Sequence, residues 1–152
     1  MTKVIFVCYG NICRSPMAEY ICKDFAKKAG YKLVIDSKAT SDEEEGSPVH
    51  YGTRRILDRL NIDCSAHVAH KLAKSECDEA DYIIGMETSN VDGIKRIAGE
   101  KNYGKIYRLL DFSSTSRDIP DPWYTHDFEA TFKDILEGIS GFVAYLEQRG
   151  EV

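Results

Sequence analysis

The sequence predicts an α/β protein: a small doubly wound sheet of four parallel strands with helices on both faces. Three observations carry this expectation. Short apolar runs alternate with segments whose apolar residues recur at helical spacing, the pattern of parallel strands joined by helical crossovers. The 152 residues, 43% hydrophobic and 30% charged, are enough for one core, so residues 1–152 read as a single domain. The first apolar run, Val4-Ile5-Phe6-Val7, passes straight into a short loop and then a helical segment. That places a loop at the carboxyl end of a strand, where sheets of this kind bind ligands.

Val4 to Val7 is the first strand. The helix after the loop begins at Ser15-Pro16, with Pro16 at its first position, and carries Met17, Ile21 and Phe25 on one face with Ala18 and Cys22 beside them. It ends near Gly30. Leu33-Val34-Ile35 is the second strand, and Tyr51 to Leu60 a helix with Ile56, Leu57 and Leu60 inward. Tyr82-Ile83-Ile84 is the third strand, Ser89 to Ala98 a helix, and Lys105 to Leu109 the fourth strand. The last helix has the clearest pattern, with Phe128, Phe132, Ile135, Leu136, Ile139, Phe142, Val143 and Leu146 on one face. Two long loops, Ser37 to His50 and Leu110 to His126, leave the carboxyl ends of strands two and four and overhang one crevice.

A net charge of −5 argues against nucleic acid or an anionic membrane as the main partner. The apolar stretch after Lys3 is too short for a secretory signal, and no segment approaches a membrane span. The five cysteines (Cys8, Cys13, Cys22, Cys64, Cys77) are an odd number, which fits a reducing, cytoplasmic compartment. His67 and His70 have no convincing third ligand, so neither metal nor cofactor is expected. A monomer is the default.

The chemistry concentrates in Cys8-Tyr9-Gly10-Asn11-Ile12-Cys13-Arg14-Ser15-Pro16. A loop ending in a helix turns backbone N–H groups and a positive dipole end toward one point. Gly10 and Asn11 tolerate the positive φ that an inward-turned loop requires. Arg14 supplies a planar fork that matches two phosphate oxygens, and Cys8, in that electropositive cup, is placed to attack. A buried structural cysteine beside an ion-paired arginine would not explain why both lie on one tight loop. A leaving oxide also needs a proton donor. Asp111, Asp118 and Asp121 are available in the last long loop, and spacing alone does not choose among them.

The stretch Val7 to Pro16 resembles the signature of the low-molecular-weight protein tyrosine phosphatases, and Asp121-Pro122-Trp123-Tyr124 resembles that family's second motif. With length and element order, the resemblance covers essentially the whole chain. It implies a flavodoxin-like fold of the phosphotyrosine phosphatase I type, and hydrolysis of phosphotyrosine in protein substrates through a phosphocysteine. By resemblance Asp121 is the general acid, Ser15 a hydroxyl that serves the Cys8 thiolate rather than a plain helix cap, and Asn11, Ser37 and His67 the supports of the loop. Cys13 matches a second cysteine that in relatives pairs reversibly with the nucleophile. Tyr9, Trp123 and Tyr124, with Gly10, Ile12 and Cys13 of the loop, are expected to bind substrate, the aromatic side chains walling a slot for a tyrosine ring.

Two departures stand out. Glu43, in the run Asp42-Glu43-Glu44-Glu45, stands where relatives commonly carry an aromatic, and Met86-Glu87 stands where they usually show Met-Asp. Two rival functions share parts of the motif. Arsenate reduction in this fold needs further cysteines in the loop after strand three, and Cys64 and Cys77 do not lie there. A non-catalytic phosphoprotein-binding module would need neither Cys8 nor Asp121.

Overall fold

The computed structural model describes residues 1–152. Its centre is one parallel sheet of four strands: β1 (Thr2–Cys8), β2 (Leu33–Ala39), β3 (Tyr82–Gly85) and β4 (Ile106–Arg108), in the order β2-β1-β3-β4. The chain winds outward from β1 to β2 and then back across to β3 and β4. The direction therefore reverses between β1 and β3, and the crevice beyond their carboxyl ends is the switch point.

Alternation along β1 explains why both faces are covered. Val4, Phe6 and Cys8 point into a core of 24 buried residues, whereas Ile5 and Val7 point into a second core of 8. The helices α1 (Arg14–Ala29), α2 (Tyr51–Arg59) and α6 (Phe128–Gln148) cover the larger face. The smaller face takes α3 (Lys74–Glu79) and α4 (Thr88–Ala98). A short α5 (Pro122–Thr125) lies in the last long loop. No helix is long and apolar enough to cross a membrane.

Several boundaries differ from the sequence reading, each for a physical reason. Helix α1 starts at Arg14, two positions before Pro16, and Pro16 is tolerated because first-turn amides have no intrahelical partner. Its end is as expected, with Gly30 at φ 73°. Strand β2 continues to Ala39 because Ser37 and Ala39 point inward, while the charged Asp36 and Lys38 between them disguise the alternation. The α3 helix was not expected, since only Cys77 of its six residues is buried and no apolar stripe announces it. Leu60, expected inward, and Phe25 and Leu136, expected on the apolar faces of their helices, are 38%, 45% and 39% exposed. They line one shallow surface groove beside α1 and α6.

Candidate active site

The loop from Cys8 to Arg14 is shaped from outside. The Cys8 carbonyl accepts from Thr40 N–H at 3.0 Å and the Tyr9 carbonyl from Ser41 N–H at 3.1 Å. The Asn11 carbonyl accepts from His67 Nε2 at 2.9 Å, the Ile12 carbonyl from His50 N–H at 2.8 Å, and the Cys13 carbonyl from Thr53 Oγ1 at 2.9 Å. In a trans peptide the N–H points opposite to the C=O. Holding these oxygens outward therefore turns the amides of Tyr9, Gly10, Ile12, Cys13 and Arg14 toward the inside of the cup. The inward turn is made by Asn11 alone, at φ 61°, so the expected positive φ at Gly10 is not found. An added Cβ at Gly10 would meet Glu44 Cγ at 3.4 Å, an ordinary van der Waals contact.

Cys8 sits at the floor, 3% exposed. Its Sγ lies 3.0 Å from Ser15 Oγ and 3.5 Å from the Ser15 amide, the latter contributed by the first turn of α1, which carries no acid. The direction of the Ser15 hydroxyl follows from its neighbours. Ser37 Oγ donates to the Glu19 carboxylate at 2.5 Å, which leaves its lone pairs to accept from Asn11 Nδ2 at 2.9 Å. Asn11 Nδ2 also donates to Ser15 Oγ at 2.8 Å, so the Ser15 proton is free to face the sulfur. Its competing acceptor, the Lys38 carbonyl, is at 3.5 Å. The expected trio Asn11, Ser37 and His67 is thus assembled, with a fourth member that sequence reading missed.

That member is Glu19. It is 3% exposed, receives Ser37, lies 3.7 Å from His67 Nδ1, and pairs with Lys23 at 2.5 Å. A glutamate on an otherwise apolar helix face was the only available signal. Glu19→Ala strips the acceptor from a buried hydroxyl and is expected to lower unfolding free energy by about 1–3 kcal/mol, read from urea unfolding; an unchanged midpoint would contradict this role.

Arg14 is buried, its side chain 2% exposed. Nη1 donates to the Ile119 carbonyl at 2.9 Å and to Glu87, and Nη2 faces Asp121 Oδ2 at 3.2 Å. The longer Glu87 therefore still reaches the guanidinium. Nε has no partner, an orphaned buried donor beside the cup. Asp121 is held by its other oxygen, which accepts the Trp123 N–H at 3.0 Å as the N-cap of α5. The rival acids are engaged elsewhere: Arg108 holds Asp111 at 2.9 Å and Asp118 at 2.8 Å.

The resulting cavity, about 130 Å³, is lined by Cys8, Tyr9, Gly10, Ile12, Cys13, Arg14, Glu43, Glu44, Asp121, Trp123 and Tyr124. Ser15, Asn11, Ser37 and His67 stand behind that lining. Tyr9, Trp123 and Tyr124 are 47%, 53% and 78% exposed and form the aromatic rim. Trp123 leans edge-on against His50, whose ring stacks on Phe128 at 5.1 Å, so His50 braces the rim although nothing in the sequence marked it. Glu43 does stand at the rim, accepting the Tyr9 hydroxyl at 2.5 Å, and this bond pushes the Tyr9 pKa up. Burial also pushes the Cys13 thiol well up. Cys64 and Cys77 are buried in the separate cores on opposite faces of the sheet.

A thiol at the floor of an anion cup, with an arginine in its wall and a carboxyl at its mouth, is the equipment of the cysteine-dependent phosphatases. Comparison with known proteins narrows that class. The chain belongs to the family described as low molecular weight phosphotyrosine protein phosphatase, whose model matches residues 3–151. Among curated relatives, the low molecular weight protein-tyrosine-phosphatase YfkJ of Bacillus subtilis is 39% identical over the whole of both chains. PtpA of Staphylococcus aureus, of the same class, is 37% identical, covering 96% of this chain and 94% of its own. The crystal structure of YfkJ superposes with a TM-score of 0.94 at 40% identity, over 98% of this chain and 96% of that one. A protein tyrosine phosphatase from Entamoeba histolytica matches with a TM-score of 0.91 at 25% identity over all of both chains. The protein is thus a protein tyrosine phosphatase of the low-molecular-weight class, a cysteine-dependent hydrolase with phosphoprotein substrates.

Proposed function

We propose that residues 1–152 act as one catalytic domain in which Cys8, Arg14 and Asp121 hydrolyse phosphotyrosine. The observation that carries this is the convergence of Cys8 Sγ, the inward amides, the orphaned Arg14 Nε and Asp121 on one cavity. Cys8 thiolate attacks phosphorus in line while the loop amides and Arg14 hold the equatorial oxygens. The phosphorus–oxygen bond to tyrosine breaks, and Asp121 gives its proton to the leaving oxygen. Asp121, now a carboxylate, takes a proton from water as that water attacks the phosphocysteine, and the thiolate leaves with the Ser15 hydroxyl donating to it.

Tyr9, Trp123 and Tyr124 flank the path to Cys8 and support a substrate that presents a flat ring. Cys13 lines the same cavity as Cys8, which supports a reversible disulfide between them. The odd number of cysteines supports a cytoplasmic protein.

The choice of acid is tested by Asp121→Asn. Tyrosine is a poor leaving group with an ordinary pKa of about 10, so kcat on a phosphotyrosine peptide is expected to fall about 10²-fold or more. The loss on p-nitrophenyl phosphate, whose leaving group is far less basic, should be smaller. Unchanged turnover of both substrates would remove Asp121 from proton transfer.

A further inference from the structure

A second depression shares Tyr9 with the catalytic cavity. It is lined by Tyr9, Thr40, Lys71, Ser89 and Arg96 among others, and no acidic residue lines it. Lys71 and Arg96 are exposed, and neither side chain makes an ion pair or a hydrogen bond within the protein. The Lys71 backbone is nonetheless fixed, bridging Ala39 and donating its N–H to Glu45 at 2.9 Å. Arg96 projects from the last turn of α4, close to Thr40, whose methyl would lie 3.0 Å from a Cβ at Gly93. Two cations without side-chain partners therefore line one concavity in a chain of net charge −5, where they can attract an anionic group.

In the catalytic cavity the lining includes Glu43 and Glu44, and Glu43 holds the Tyr9 hydroxyl. Tyr9 lines both cavities, so a peptide crossing the mouth can meet Glu43 and Glu44 in one and Lys71 and Arg96 in the other.

We propose that Lys71 and Arg96 form a subsite for an anionic group carried by the substrate beside its phosphotyrosine, either a carboxylate side chain or a second phosphate. This rests on reading the main cavity as the phosphotyrosine site. The polarity of the rim sets one direction for the bound peptide, anionic flank toward α4 and neutral or basic flank toward Glu43. Lys71 and Arg96 touch neither the reacting phosphate nor Cys8, so they act on KM and not on the chemical step.

The test compares phosphotyrosine peptides with neutral flanks, with glutamates on either side, and with a second phosphorylated residue on either side. kcat/KM is measured for the wild type, Lys71→Ala/Arg96→Ala and Lys71→Glu/Arg96→Glu at low and high salt. Exposed ion pairs are individually weak, so the anionic peptide of the correct polarity is expected to lead the neutral one by about fivefold at low salt. That lead should vanish in the alanine variant and reverse in the glutamate variant, with turnover of p-nitrophenyl phosphate unchanged. A lead shared by both anionic peptides identifies any carboxylate or phosphate as the ligand, and one confined to the second phosphate identifies that group. The same ratio in wild type and variants would overturn the subsite. Dissociation constants of these peptides for the same variants in a Cys8→Ser background give the same reading without turnover. Failure of the phosphotyrosine reading would look different, as no Cys8-dependent turnover of even the neutral peptide.

Discussion

Cys8→Ser is expected to lower kcat on phosphotyrosine and on p-nitrophenyl phosphate by at least about 10⁴-fold, because it removes the nucleophile itself. The substitution is nearly isosteric, and the surroundings accommodate a hydroxyl, since Ser15 Oγ and the Ser15 amide already face the sulfur at 3.0 and 3.5 Å. Folding should therefore be unaffected, and inorganic phosphate should still bind in the cup. A serine hydroxyl in the same place lacks the thiol's nucleophilicity, and no base sits close enough behind it to compensate. Retention of more than a small fraction of turnover, with the circular dichroism spectrum unchanged, would show that the sulfur is not the attacking atom.

Arg14→Lys is expected to cost about 10³-fold in kcat/KM, the scale on which an arginine clamp stabilises a transferring phosphoryl group. The charge survives this change, so a purely Coulombic role predicts a small effect. The geometry predicts a large one. The guanidinium divides its donors among Ile119, Glu87 and Asp121, and keeps Nε unengaged in the protein. A single ammonium placed between two carboxylates cannot hold both and also grip two phosphate oxygens. Thermal unfolding of the variant separates this from misfolding, and near-wild-type kcat/KM would mean that the fork is dispensable.

The parts of the site that were legible in the sequence are those contiguous along the chain. Cys8 to Pro16 lies between a strand and a helix, both of which declare themselves by periodicity, and Asp121 belongs to a short motif of its own. The order of the four strands' elements was likewise legible, because each strand carries an apolar run. What escaped depends on partners distant in sequence. Glu19 matters because Ser37 and His67 fold onto it, and His50 because Phe128 and Trp123 arrive on either side. Neither relation has a local signature. The exposure of Phe25, Leu60 and Leu136 is a failure of another kind: helical spacing shows which residues share a face but not where the facing elements stop. Among three candidate acids, only the tertiary structure shows that Arg108 has taken two of them.

In this mechanism phosphorus passes through the Cys8 sulfur. Rapid quenching of the Asp121→Asn variant during turnover of labelled p-nitrophenyl phosphate is the decisive experiment, since this weakly basic leaving group departs with little help from an acid while loss of the residue that activates water lets the intermediate accumulate. The expected result is a phosphoenzyme, formed within the first turnover, whose label maps to the peptide containing Cys8. Label on any other residue, or turnover proceeding with no phosphoenzyme at all, would contradict it.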